Sequence, residues 1–324
     1  MIEPGRTLSR RSALRTVALG ILAAGNARAA SAQTPGRAPV VVAVAAATDV
    51  LPFFYAAQQG LFEKAGLDIT QIPGPSGSAN LVAVAGGTAN IGFANCFSLI
   101  VAHVKGVPVK LIAPGGGYES SNPWAQLIVA GDSPIKSAKD LEGRILGVTG
   151  LHDLFALATQ AWMEREGADL SKIRFLEIPP SLMLGALQSK RIDAFTIQEP
   201  FRGAAVAAGA RAIASPYDAI AKTFLTAGWF ANTTWSDQNR DAAIRFAQVI
   251  HQAATYTNAH FEQLLPLISS YSKISLESLK QSRPIRVPLS LNGTLIQPLI
   301  DIAARYHEIP GRFSAQEMIL AGVP

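Results

Sequence analysis

Few residues in this 324-residue chain have the types and spacing that covalent catalysis requires. Cys96 is the single cysteine, which excludes an internal disulfide, a multi-thiolate metal site and an iron–sulfur cluster. His152 precedes Asp153, but no Ser or Cys nucleophile is spaced with this pair as in a known catalytic motif. Asp153 is better placed to cap the helix that follows, which leaves His152 as a ligand contact or a solvated loop residue. We therefore predict no catalytic residue, no metal ion and no cofactor.

Asp49 stands where α/β proteins bind their ligands. Val40–Ala46 is a run of small and β-branched apolar residues, typical of a strand buried on both faces. A single helical pattern follows, and Leu67–Ile72 begins a second strand, so the unit is a right-handed parallel crossover. Open parallel sheets bind ligands at the carboxyl ends of their strands, near helix N-termini. Asp49–Phe54 is therefore a candidate ligand loop, in which Phe53 and Phe54 suit either a ligand contact or the core.

The first 32 residues have the features of a cleaved export signal. Arg10-Arg11 is a twin-arginine pair, and the apolar run of residues 17–24 is too short to span a membrane. Small-x-small patterns predict cleavage after Ala29 or Ala32, and no cysteine stands nearby for a lipid anchor. Ala13 occupies a position where twin-arginine signals often carry Phe, so ordinary secretion remains an alternative. We expect a periplasmic protein without a lipid anchor.

Most of the positive charge belongs to this signal. Residues 1–32 contain five Arg and one acidic residue, so the formal net charge of +5 falls to about +1 without them. No cluster of basic residues with interleaved aromatic residues remains, which argues against nucleic-acid binding. After residue 32, no apolar run approaches the length of a membrane span.

The remaining chain is too long for one ordinary core and predicts two α/β lobes. A helix, a stop and a strand occur in that order at residues 79–95 and again at 183–198. We assign residues 33–38 to a disordered lead-in, and expect the chain to cross between lobes twice, near residues 115–123 and 215–226. Each lobe is expected to be a mostly parallel sheet flanked by helices. The predicted bounds are residues 39–122 plus 224–324 for lobe 1, and residues 123–223 for lobe 2.

Four stretches of the chain, in order, resemble the nitrate/sulfonate/taurine and thiamine-pyrimidine (NMT1-like) group of periplasmic solute-binding proteins. They are Phe54–Asp68, Lys105–Val109, Ser133–Arg144, and Ile192–Ala194 with Glu199-Pro200. The resemblance implies a type II periplasmic-binding-protein fold with a ligand cleft between the lobes. It also implies a monomeric subunit that delivers a small solute to an ABC permease in the inner membrane.

The resemblance further implies ligand contacts from loops of both lobes. Lobe 1 and its crossings would supply Asp49, Leu51, Pro52, Phe53, Ser76, Asn95, Cys96, Phe97, Tyr118 and Trp229. Lobe 2 would supply Thr149, Gly150, His152, Asp153, Ser181, Gln198 and Glu199. The solute would be sulfonate-, taurine- or nitrate-like, or aminopyrimidine-like. Carboxylates together with aromatic residues such as Trp124 favour a neutral or weakly cationic, ring-bearing solute.

Two other classes of function remain to be weighed. One is an enzyme like the synthase of the thiamine pyrimidine, which has this fold and uses a Cys-rich iron-binding stretch. The matching stretch here, Ala94–Ser98, contains one cysteine, and we therefore predict that the protein is not an enzyme. The other is a soluble sensor subunit that presents a solute to a membrane receptor, which the sequence does not separate from a transport subunit.

Overall fold

The computed structural model describes residues 36–74 and 76–324, so the predicted export signal and residues 33–35 of the predicted lead-in lie outside it. Two five-stranded mixed sheets, each covered by helices, dominate these residues. This is the α/β class that the sequence predicts. None of the helices in this part of the chain has both the length and the apolar character needed to cross a membrane.

The first sheet is built from four strands near the start of the described chain and one strand that returns after the second sheet. Its strands are β1 (Ala38–Val44), β2 (Leu67–Pro73), β3 (Ile91–Asn95), β4 (Val109–Pro114) and β12 (Ala227–Asn232). Their order across the sheet is β2-β1-β3-β12-β4. β1 is parallel to β2 and β3, whereas β12 is antiparallel to both of its neighbours. All the strands except β12 therefore point the same way.

The second sheet repeats this plan with the middle of the chain. Its strands are β6 (Ala125–Val129), β7 (Ile145–Val148), β8 (Arg174–Glu177), β9 (Ala194–Gln198) and β10 (Arg211–Ala214). Their order is β10-β6-β9-β7-β8, and only β6 runs against the rest. β6 and β12 are the strands that follow a passage from one sheet to the other. Because each enters its sheet from the edge where the parallel strands end, each must run in the opposite direction.

The two passages between the sheets pair with each other as a short antiparallel ribbon. It consists of β5 (Gly117–Glu119) and β11 (Thr223–Leu225), in which Thr223 faces Glu119 and Leu225 faces Gly117. Both strands fall within the segments that the sequence predicts as crossings.

Helices cover both faces of each sheet, which explains the apolar strands. The α-helices are α1 (Leu51–Gln58), α2 (Leu61–Lys64), α3 (Gly77–Ala85), α4 (Cys96–Val104), α5 (Leu154–Arg165), α6 (Pro180–Gln188), α7 (Phe201–Ala207), α8 (Thr233–Gln238), α9 (Arg240–Ala259), α10 (Leu265–Ser272), α11 (Leu276–Lys280) and α12 (Gln297–Arg305). α3 and α4 contact the first sheet from one side, and α9 packs on β4 and α1. α5, α6 and α7 contact the second sheet.

Two local expectations differ from the structure. β1 already begins at Ala38, inside the segment predicted as a disordered lead-in. The single helix expected before Gly66 is divided into α1 and α2, because Gly60 adopts a left-handed conformation with φ of 63°. Glycine takes this conformation without the steric cost that a side chain would add. The apolar spacing remains helical across this break, so the sequence pattern alone does not reveal it.

Candidate ligand-binding cleft

A cavity of about 370 Å³ lies between the two sheets, at the edge where their parallel strands end. Side chains from both sheets contribute to its wall. From the first sheet side come Ala45, Ala47, Asp49, Gly77, Phe93, Ala94, Asn95, Phe97, Ser98, Thr226 and Ala227. From the second come Trp124, Thr149, His152, Asp153, Leu154, Phe155, Gln198 and Tyr217. The volume suits a small organic molecule.

Three helices begin at or next to this cavity, and each has its first turn capped by a side chain. Ser76 accepts a hydrogen bond from the Ala79 amide at the start of α3. Asn95 accepts one from the Ser98 amide at the start of α4, at 2.7 Å. Asp153 caps α5, as the sequence predicts. Caps of this kind follow directly from a polar residue at a strand or loop end before an apolar helix.

Asp153 is held by a dense set of donors. The Ala156 amide donates to Oδ1 at 2.8 Å, and the Thr149 hydroxyl donates to Oδ2. Burial raises the pKa of the Asp153 carboxyl, although hydrogen bonds from Thr149 and from the backbone of Ala156, Phe155 and Gly150 oppose the shift. The carboxylate therefore occupies the anion site that the N-terminus of α5 creates.

Asp49, on the opposite wall, has no such support. Within the described residues, no other residue donates a hydrogen bond to its carboxylate, and burial raises the pKa of the Asp49 carboxyl to about 6. The Asp49 carboxylate lies close to the backbone of Gly116. A side chain at residue 116 would crowd it, because a Cβ there would lie 3.2 Å from Oδ2 of Asp49. Asp49 thus places against the cavity a partly buried carboxyl group that accepts only from its own backbone N–H within the described residues.

Aromatic rings form much of the remaining wall. The rings of Trp124 and Tyr217 meet edge to face with centroids 5.6 Å apart, and Phe155 stacks on Tyr217 at 5.8 Å. The Trp124 indole donates to the Gly117 carbonyl at 2.8 Å, which fixes the ring against the ribbon. Such rings bind planar or apolar groups, and their faces attract cations.

The charged side chains on the wall are acidic, apart from His152. In the described part of the chain, the lining contains Asp49 and Asp153 but no Lys or Arg. His152 is exposed at the rim, where its Nδ1 lies 3.1 Å from Oε1 of Glu308. Among the described residues, the wall therefore places no Lys or Arg opposite its two carboxyl groups.

The structure brings together part of the predicted site. Of the residues proposed as ligand contacts, those that line the cavity are Asp49, Asn95, Phe97, Thr149, His152, Asp153 and Gln198. Each lies in the first turn of a helix or at the end of a strand or in the loop after it. Gly150 and Ser76 lie next to the wall, where they support Asp153 and α3.

Several predicted contacts on the first sheet side are core residues instead. Phe53 packs against Trp229 with ring centroids 5.1 Å apart, and both are almost fully buried. Leu51 and Pro52 are buried residues in the first turn of α1. Cys96 is fully buried, and this burial raises the pKa of its thiol. These side chains start near the cavity but point into the apolar layer behind it.

Three further predicted contacts also lie elsewhere. Tyr118 is buried and donates to Asp218 at 3.0 Å. Glu199 is buried and forms an ion pair with Arg202. Ser181 lines a separate cavity between β8 and α6. Tyr118 and Glu199 are satisfied within the protein.

The sequence reasoning missed other parts of the wall. These are Ala45, Ala47, Phe93, Ala94, Leu154, Phe155, Tyr217, Thr226 and Ala227. Leu154 and Phe155 follow the predicted cap Asp153 directly, so the first turn of that helix was a usable signal. Tyr217 lies in a 3-10 turn after β10, and nothing local in the sequence marks it as a cleft residue.

Metal binding and covalent catalysis each require particular groupings of side chains. Among the described residues, no group of three His, Cys, Asp or Glu side chains could hold a metal ion. In the same part of the chain, no histidine hydrogen-bonds to a Ser, Thr or Cys side chain. The one thiol is buried away from the cavity.

The fold is that of the periplasmic binding proteins. The aliphatic sulphonate-binding protein SsuA of Escherichia coli superposes with a TM-score of 0.72 at 18% identity, over 89% of this chain and 92% of that one. SsuA of Xanthomonas axonopodis pv. citri, an alkanesulfonate-binding protein bound to MOPS, gives 0.68 at 16% identity over 89% and 99%. The desulfurization enzyme DSZB also matches, at 0.69 and 14% identity over 88% and 97%.

Within that fold, the chain belongs to the NMT1/THI5-like family, whose model matches residues 47–263. A candidate binding protein of Brucella abortus (strain 2308) is 25% identical over 231 residues, which cover 69% of this chain and 68% of the relative. This confirms the family that the four sequence stretches indicate.

Proposed function

We propose that the protein is the extracytoplasmic solute-binding subunit of an ABC importer. It captures a small organic solute in the cleft and delivers it to a permease in the inner membrane. The observation that carries this proposal is the cavity of about 370 Å³, whose wall is shared between the two sheets. A solute there contacts both halves of the molecule at once.

A solute that contacts both sides of the cavity can be captured by closure of the cleft around it. We propose two lobes, residues 39–122 plus 224–324 and residues 123–223, that close about the ribbon of β5 and β11. A solute favours the closed state only to the extent that it binds that state more tightly than the open one. Contacts from Asp49 on one side and the first turn of α5 on the other supply that difference. The protein acts as a monomer in this scheme.

We propose that the protein reaches the periplasm by means of residues 1–32, through the twin-arginine or the general secretion route. The signal is then cleaved, and no lipid anchor is added. The periplasmic names of the structural neighbours support this location.

Solute binding is favoured over enzymatic activity. DSZB shows that the fold also supports an enzyme, and the thiamine-pyrimidine synthase remains the alternative named by the sequence. The buried thiol of Cys96 and the exposed position of His152 at the rim, where it contacts Glu308, favour binding. For the solute, the names of the SsuA neighbours favour a sulfonate, and the carboxyl groups of the cleft favour an aminopyrimidine-like compound.

A thermal-shift screen of solutes tests the proposal when it compares the unchanged protein with a variant whose cleft is blocked. Ala47→Trp fills the cavity wall, and Ala46→Trp places the same ring on the exposed neighbouring residue as a control. A solute that binds in the cleft raises the melting temperature of the unchanged protein and of Ala46→Trp, but not of Ala47→Trp. An equal shift in Ala47→Trp would place the binding elsewhere and contradict the proposal.

Two further measurements separate transport from the alternatives. Small-angle scattering should show a smaller radius of gyration with the solute than without it, and an unchanged radius would contradict lobe closure. Uptake of the labelled solute should be lost in cells that lack the gene. Retained uptake would favour the sensor role instead.

A further inference from the structure

We infer that the solute is a small, ring-bearing organic cation whose N–H groups bind the Asp49 carboxylate, and that the cleft rejects organic anions such as sulfonates. This inference rests on the proposed function and specifies its ligand. It departs from the ligands named for the SsuA neighbours.

The first step concerns charge. Asp49 and Asp153 face the cavity from opposite walls, and the lining within the described residues holds no Lys or Arg. His152 is paired with Glu308 at the rim. Arg202, a cation of the second sheet side, is engaged by Glu199 and Gln126. An anion would therefore enter the field of two carboxyl groups without a Lys or Arg side chain among the described lining residues to compensate.

The second step concerns the helix N-termini, which are the structural feature that could still hold an anion. At α5 this role is already taken, because the Asp153 carboxylate accepts from the Ala156 amide at 2.8 Å and from Thr149. At α4, the Cys96 amide donates to the Thr226 carbonyl at 2.8 Å, and the Ser98 amide donates to Asn95. At α3, Ser76 accepts from the Ala79 amide. An anion at these three helix N-termini would compete with the bonds that cap them.

The third step concerns Asp49 itself. Buried polar groups usually have hydrogen-bond partners, yet no other described residue donates to this carboxylate. Its charge acts on Tyr271, whose hydroxyl has no partner in the described residues and supplies no countercharge. Asp49 is thus a carboxylate at the cavity wall that, within the described residues, accepts only from its own backbone N–H. A solute with N–H groups supplies both further donors and the opposite charge.

The fourth step concerns the rest of the solute. Trp124, Tyr217 and Phe155 form a contiguous aromatic wall, and Phe93 and Phe97 stand on the other side. A flat ring between these walls would bury its faces, and a cationic substituent is attracted by both the rings and Asp49. The chemistry that fits both features is a ring that carries an amino, amidino or similar protonated group.

Matched ligands that differ only in charge test the inference. Benzamidinium, benzamide and benzenesulfonate share one ring and are cationic, neutral and anionic, and analogous heteroaryl and alkyl series extend the comparison. Calorimetry on the full chain at pH 7.5 should show that the cation binds at least about tenfold more tightly than its neutral and anionic counterparts. Asp49→Asn should weaken that cation by about 10- to 100-fold and leave the neutral compound nearly unchanged.

Asp132→Asn is the matched control variant. Asp132 is exposed and follows the far end of β6, whereas Trp124 at the other end of this strand lines the cavity. The Asp132→Asn variant should bind the cation as the unchanged protein does. Circular dichroism should show that Asp132→Asn and Asp49→Asn are both folded.

The possible results separate the inference from the proposed function. Tighter binding of an anion, or cation binding that Asp49→Asn does not weaken, overturns the inference while the proposed function stands. No binding by any member of the three series overturns the inference. Unchanged uptake, in cells that lack the gene, of a labelled solute that binds in the cleft overturns the proposed function.

Discussion

Replacing Asp49 by Asn should stabilise the ligand-free protein, because the cleft carboxylate is held at a cost to folding. Burial raises the pKa of the Asp49 carboxyl from 3.8 to about 6. A carboxyl group with a raised pKa binds its proton more tightly in the folded state, so the stability that protonation provides is lost as the pH rises from about 4 to about 6. Above that window the ionised carboxylate destabilises the fold, whereas Asn carries no charge.

The expected magnitude follows from the size of the shift. One pKa unit corresponds to about 1.4 kcal/mol, so a shift of roughly two units corresponds to about 3 kcal/mol. Asp49→Asn should therefore raise the free energy of unfolding by about 3 kcal/mol at pH 7.5 and by close to zero at pH 4. For a chain of this size, that gain corresponds to a rise of roughly 5–10 °C in the melting temperature at pH 7.5.

Urea denaturation at the two pH values measures the effect, with Asp132→Asn as the control. Asp132 is exposed, so its replacement should change the free energy of unfolding little at either pH. If Asp49→Asn has a higher free energy of unfolding than the unchanged protein at pH 7.5 but not at pH 4, Asp49 is a functional residue that lowers the stability of the fold. If Asp49→Asn were no more stable than the unchanged protein at pH 7.5, or gained equally at both pH values, the reasoning would be refuted.

Three other predictions concern charge in the cleft and the burial of two side chains outside it. Binding of benzamidinium should weaken about tenfold between pH 7.5 and pH 5, because protonation of Asp49 removes its charge, and calorimetry of Asp49→Asn should show that this loss is absent. Glu199→Gln should lower the free energy of unfolding by about 3–5 kcal/mol, since it leaves Arg202 buried without its partner, while the folded variant binds ligand normally. A large loss of affinity in that variant would return Glu199 to the site. Cys96 should react with a thiol reagent only after denaturant is added, and rapid labelling of the native protein would contradict its burial.

Two adjacent residues show which part of the cleft can be predicted from the sequence and which part cannot. Gln198 and Glu199 were both predicted as ligand contacts at the end of one strand. In the structure Gln198 lines the cavity, but Glu199 is buried against Arg202 and the Gly203 amide. Neighbouring residues at the end of a strand point to opposite sides, and only the placement of β9 between β6 and β7 decides which side is the cleft.

The aromatic residues give the same lesson. The predicted contacts Phe53 and Trp229 pack against each other, and also against Phe246 from α9. Tyr217 and Phe155, which sequence reasoning did not select, form the wall instead. Apolar rings at helical or strand spacing satisfy the core and a ligand pocket equally well, so their type and position in the chain do not distinguish the two.

The sequence by itself determined the features that depend on neighbouring residues. The crossover units, the strand ends that carry Asp49 and Asn95, and the cap at Asp153 follow from periodicity and capping preferences over a few residues. The family followed from four such stretches in order. Only the tertiary structure decided which side chains share one cavity, and that no Lys or Arg among the described residues joins the two carboxyl groups there. The reason is that the two walls come from segments about a hundred residues apart, and long-range packing, rather than local pattern, sets the direction in which each side chain points.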